Sequence, residues 1–132
     1  MDTRRLTLLL AAAFIVHAIS AVAAFIWFTM RRIEDSLVAN IVGGLLLTVA
    51  VVTPYALFAW ASYIATVTWA AALVLLACAA AGGLALFAYS GAFATTDGEY
   101  VFVFLFGTAA QAIFAVVTLM VAYLARKRAE AL

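Results

Sequence analysis

The sequence predicts an all-α integral membrane protein, a four-transmembrane-helix antiparallel bundle with both termini in the cytoplasm. Three observations predict it. Hydrophobic residues make up 70% of the 132 residues and charged residues 10%, against the roughly half-apolar, quarter-charged mix of soluble domains. Mean hydropathy is +1.26, so water cannot be the main solvent of this chain. The few charges fall in small clusters, and the runs between them match or exceed the ~20 apolar residues a helix needs to cross the hydrocarbon. By length the chain is one membrane domain, residues 1–132, with no Pro/Gly/Ser-rich linker and no soluble domain.

The first span is read from Leu6 to Met30, bounded by Arg5 and Arg31, with His17 as its sole ionisable residue. Arg31, Arg32, Glu34 and Asp35 form the first loop, a self-neutralising cap whose exposed pairs contribute little, about 0 to 1 kcal/mol each. From Ser36 to Thr96 the only ionisable groups are Cys78 and tyrosines, a stretch that must hold two spans and a turn. Pro54, Tyr55, Trp60, Tyr63 and Trp69 mark that turn, because Trp and Tyr favour the headgroup level and proline disfavours helix in the residue before it. Span two is therefore expected over Leu37–Phe58 and span three over Val67–Tyr89, the alternative being a helix that bends at Pro54 and continues through Trp60. Ser90 to Glu99, rich in Gly, Asp and Thr, reads as a loop. Tyr100 to Tyr123 is span four, stopped by Arg126, Lys127 and Arg128.

With four spans, Arg4, Arg5, Arg126, Lys127 and Arg128 share one side and only Arg31 and Arg32 the other. Retention of positive residues on the cytoplasmic face then puts both termini inside. A cleavable signal ending at Ala21-Val22-Ala23 is the rival reading of the start. Phe25, Ile26, Trp27 and Phe28 run on past that point, which suits an anchor better. The Ala-rich composition fits a bacterium of high genomic G+C content, and the expected location is its inner membrane.

The midpoints of the four spans fall near His17, Thr48, Cys78 and Gln111. Equal antiparallel helices bring their midpoints to one depth, so His17, Thr48 and Gln111 form a candidate midplane polar site, with His17 and Gln111 partnered if their helices are neighbours. Ala13, His17, Ser20 and Ala24 recur at helical spacing, as do Thr108, Gln111, Ala115, Thr118 and Ala122. Both sets read as small-and-polar stripes facing inward. Asn40, Gly44 and Thr48, with Cys78, Gly82 and Ala85, complete that interior, and Ala39/Gly43 and Ala79/Gly83 offer further small-residue contacts. Phe93, Phe102, Phe104 and Phe106 read as an outward cluster.

His17 has a functional reading, as a proton carrier, quinone contact or haem ligand, and a plainer one, a neutral imidazole bonded to a neighbouring helix. With one histidine, a bis-histidine haem needs a second chain. Gln111 and Asn40 read as interhelical glue. The lone cysteine, Cys78, reads as a small packing residue. Thr95, Thr96, Asp97 and Glu99 supply oxygens for a divalent cation, yet too few for one that wants six or more, and a solvated turn is the simpler account.

No metalloprotease, nucleophile-elbow or phosphate-loop motif and no Cys/His cluster occurs. No carboxylate lies within a span, as proton-coupled export would need. The net charge of +1 gives no basic field for nucleic acid. The sequence thus carries no catalytic, cofactor or metal site. It points to a non-enzymatic accessory or assembly subunit whose partners are the bilayer and a larger membrane protein. The alternative is a small homo-oligomeric transporter, flippase or channel.

Overall fold

In a lipid-like solvent the backbone must satisfy its own hydrogen bonds, and helices do this within each segment. A computed structural model describes residues 2–30, 37–93 and 100–132, with side chains for 2–27, 40–93 and 100–132. The described residues form four helices: α1 (Thr3–Met30), α2 (Leu37–Ile64), α3 (Thr68–Tyr89) and α4 (Val101–Glu130), with a 3-10 turn over Ser90–Phe93. All four are long and apolar enough to span a membrane. Even α3, the shortest at 22 residues, rises about 33 Å, more than the ~30 Å hydrocarbon layer.

Two helices run well past their expected ends: α4 continues beyond Tyr123, through Arg126, Lys127 and Arg128, to Glu130, and α2 also ends later. Instead of ending at Phe58, α2 runs through Pro54 to Ile64. Proline removes a single backbone donor, and here its ring is fully buried, so packing carries the helix past the missing bond. The turn shrinks to residues 65–67, and Trp60 and Tyr63 become exposed residues of the last turns of α2. The first loop, with Arg31, Arg32, Glu34 and Asp35, and the polar segment with Thr95, Thr96, Asp97 and Glu99 lie outside the described residues.

Around the bundle the helices follow the order α1, α2, α4, α3: α1 packs on α2 and α3, and so does α4. Helices α1 and α4 therefore lie across from each other, meeting where Phe25 touches Tyr100 and Phe104. The core divides in two. The larger part is aromatic, with Phe14, Phe25, Tyr55, Phe58, Tyr89 and Phe104 interleaved with Ala11, Ala18, Ala21 and Cys78. The smaller part, Ala61, Ala65, Ala70, Val74 and Ala122, joins the α2–α3 turn to the end of α4 through small side chains.

Large rings need small neighbours to seat them. A Cβ added at Gly82 on α3 would lie 2.0 Å from the Phe14 ring of α1, and one at Gly44 on α2 would lie 2.4 Å from Ile26 Cδ1. These two glycines are the notches that let α1 approach its neighbours. Gly43 and Gly83, by contrast, would meet nothing within 4 Å, so the contacts expected from Ala39/Gly43 and Ala79/Gly83 are not where these helices pack.

Candidate functional site

Most hydroxyls in the helices are absorbed locally. Thr7, Ser20, Thr48, Thr53 and Thr118 each donate to the carbonyl four residues earlier, at 2.7–2.9 Å, which satisfies a polar group without recruiting a second helix. Thr48 is half-buried and spent on Gly44.

Gln111 is different. It lies in the buried face of α4 that also carries Thr108, Ala115, Thr118 and Ala122, so this stripe faces inward as its spacing predicts. The Tyr55 hydroxyl on α2 donates to Gln111 Oε1 at 2.9 Å, and the Tyr89 hydroxyl on α3 pairs with Thr108 Oγ1 at 3.1 Å. Tyr55 and Tyr89 have no exposed surface. Gly107, beside Thr108, leaves room for the Tyr89 ring, its Cβ position lying 3.5 Å from the hydroxyl. The result is a buried polar cluster joining α2, α3 and α4, ringed by Phe14, Phe58 and Phe104. An interhelical hydrogen bond in a membrane contributes only about 1 kcal/mol. Its larger consequence is register, because a misplaced helix would strand a buried hydroxyl.

The α1 stripe turns the other way. Ala13 and Ser20 are exposed, while His17 and Ala24 are half-buried at the edge of the helix. The inward face is Thr7, Ala11, Phe14, Ala18, Ala21, Val22 and Phe25. His17 packs its ring 5.8 Å from that of Phe93, which the 3-10 turn brings against α1, and its Nε2 is buried with no hydrogen-bond partner. The structure thus does not bring His17, Thr48 and Gln111 together: His17 takes Phe93, Thr48 takes Gly44 and Gln111 takes Tyr55. The physical reason is the helix order, which puts α1 and α4 across the bundle.

On α2, Gly44 is buried while Asn40 and Thr48 are only half-buried, so that stripe borders an outer groove. Cys78, Gly82 and Ala85 of α3 are buried as expected. Of the four phenylalanines read as an outward cluster, Phe104 is fully buried, and Phe93, Phe102 and Phe106 are exposed, with Phe102 stacked on Phe106. Tyr55 and Tyr89 were not singled out as partners from the sequence, where both read as interfacial or span-end residues. A signal was present: Tyr55 is followed three residues later by Phe58 on the same helical face.

Outside the core, Arg4 donates from Nε to the Ser62 carbonyl at 3.3 Å and sits 5.0 Å over the Tyr63 ring. Lys127 lies 5.9 Å over the Tyr123 ring, and Arg126 pairs with Glu130 at 2.7 Å. Among the described residues no group of three or more His, Cys, Asp or Glu converges as a metal site. No family model, no curated protein and no solved structure matches this chain, so its site is read from its own chemistry alone.

Proposed function

We propose that this chain is a non-enzymatic accessory or assembly subunit of a larger membrane complex. One observation carries the reading: the polar groups at the centre of the bundle are spent on one another. Tyr55 with Gln111 and Tyr89 with Thr108 lock α2, α3 and α4, and Phe14, Phe58 and Phe104 fill the space around them. An interior used this way holds a shape. Among the described residues, the surfaces left for a partner are the outer helix faces, where Phe87 is 84% and Phe106 71% exposed.

The setting we infer is a bacterial inner membrane, with antiparallel helices and both termini cytoplasmic. Support comes from one end of the bundle, where Arg4 meets Ser62 and Tyr63 and Ala122 packs with Ala61, Ala65 and Ala70. That end collects Arg4, Arg5, Arg126, Lys127 and Arg128, the pattern of a cytoplasmic face, and exposed Trp60, Tyr63, Trp69 and Tyr123 suit its headgroup level. A reporter fused after Leu132 should report cytoplasm, and an external signal there would overturn the orientation.

The test of the accessory role is gentle detergent extraction at native expression, with native mass of what co-purifies. A stoichiometric larger membrane protein is expected. A pure homo-oligomer would overturn this reading in favour of the second, a homo-oligomeric transporter, flippase or channel. The observation favouring that second reading is the unpartnered Nε2 of His17, since ionisable groups at membrane depth are costly and often functional. Under it His17→Ala abolishes transport; under the accessory reading the same change leaves function nearly intact.

A further inference from the structure

Two apolar grooves flank the Ile26 side chain. One, of about 330 Å³, is lined by Phe25 and Ile26 of α1, Asn40 to Ala50 of α2, and Val101 and Leu105 of α4. The other, of about 280 Å³, lies on the far side of Ile26, against Ile19, Val22, Ala23, Ile41, Leu45 and Thr48. Both are lined by Asn40, Ile26 and Gly44. Gly44 is what seats Ile26 as the ridge between them, because any Cβ there would meet its Cδ1 at 2.4 Å.

Asn40 is the polar residue that both linings share. Its amide pairs with no other described residue, whereas Thr48, the polar residue deeper in the second groove, is satisfied within its own helix. Asn40 lies one turn inside the start of α2 at Leu37, close to the level where hydrocarbon gives way to headgroup. From Asn40 to Ala50 the first groove runs about 15 Å at the helical rise per residue, half of the ~30 Å hydrocarbon layer. That is the depth of one leaflet.

We propose that this region binds one diacyl glycerolipid, with its two acyl chains in the two grooves astride Ile26 and an ester carbonyl accepting from the Asn40 amide. Each feature matches a part of that molecule. Two apolar channels, the first of them about one leaflet deep, receive two chains, and the Asn40 donor, without a partner among the described residues, lies where they meet, near the ester level. The lipid comes from the leaflet on the side of the α1–α2 connection.

The test uses two glycines with equally open surroundings. A side chain at Gly43 meets nothing within 4 Å, as at Gly83, yet of the two Gly43 lines the first groove and Gly83 lines neither. Purified protein is delipidated in detergent, incubated with dioleoylphosphatidylcholine, whose zwitterionic head keeps charge out of the comparison, and bound lipid is counted by native mass spectrometry. One lipid per chain is expected for the unaltered protein and for Gly83→Leu, with loss in Gly43→Leu. Asn40→Leu should weaken retention about fivefold, as expected for one intramembrane hydrogen bond, and the one-chain lyso form should bind more weakly than the two-chain lipid. Equal retention by Gly43→Leu and Gly83→Leu would mean unspecific annular lipid and overturn the proposal, as would equal binding of the lyso form. Should Gly43→Leu fail to fold, Asn40→Leu and the lyso comparison decide alone.

Discussion

Helices α1 and α4 carry stripes of the same kind, small and polar residues at three- and four-residue spacing, and the bundle uses them in opposite ways. In α4 the stripe Thr108, Gln111, Ala115, Thr118, Ala122 is buried. In α1 the stripe Ala13, His17, Ser20, Ala24 lies outside or at the edge, and the buried face is Ala11, Phe14, Ala18, Ala21 and Phe25. The difference teaches that in lipid a polar residue does not by itself name the inward face. Complementary shape does: Phe14 has a notch waiting at Gly82, and Gln111 has a hydroxyl waiting at Tyr55. His17 has neither, and takes an aromatic lid in Phe93.

If shape decides the α1 face, the largest effect should come from filling its notch. Gly82→Ala is expected to destabilise the bundle by about 1–3 kcal/mol, the usual cost of overpacking, because the Phe14 ring it meets is itself held against Tyr55 at 5.7 Å. The neighbouring Gly83→Ala should be neutral or stabilise by up to about 1 kcal/mol, the gain in helix propensity. Reversible unfolding in mixed detergent micelles measures both. Equal effects at the two positions would break the comparison on its α1 side.

On the α4 side the hydrogen bond decides. Gln111→Leu leaves the Tyr55 hydroxyl buried without its acceptor and should cost about 1–2 kcal/mol. Tyr89→Phe removes one partner of Thr108, whose hydroxyl can turn to its own helix, and should cost less than about 1 kcal/mol. The smallest effect is expected at His17. His17→Phe replaces an imidazole with an unpaired nitrogen by a ring that suits Phe93, and should change stability by no more than about 0.5 kcal/mol, the scale of changes away from strained or paired sites. A loss as large as that of Gln111→Leu would mean that His17 holds the bundle together after all.

Much of the architecture was legible in the chain because its charges are so sparse. Arg5, Arg31 and Arg126 bracket apolar runs whose length alone sets the number of helices long enough to cross a membrane. The α2 boundary was legible only as an alternative, since Pro54 reads as a helix stop or as a bend in a helix continuing through Trp60, and burial of its ring at the core explains why α2 continues to Ile64. The inward face of α4 was legible from spacing, as was that of α3 through Cys78, Gly82 and Ala85. What spacing could not supply was which helices are neighbours. The order α1, α2, α4, α3 separates His17 from Gln111 and gives Gln111 to Tyr55, a residue that reads from sequence as interfacial. Phe104 was misread for a related reason: among Phe102, Phe104 and Phe106 at the start of α4, nothing local distinguishes the one that meets Phe25 and Tyr89 from the two left exposed.

The claim at the centre of this account is that the polar residues inside the bundle serve packing between α2, α3 and α4 and are not a site shared with α1. A double-mutant cycle in micelles tests it most directly. Tyr55→Phe with Gln111→Leu should be non-additive by about 1 kcal/mol, while His17→Ala with Gln111→Leu should add to within about 0.5 kcal/mol, as independent sites do. Strong coupling of His17 to Gln111, with none between Tyr55 and Gln111, would contradict the account and restore a polar site spanning the bundle.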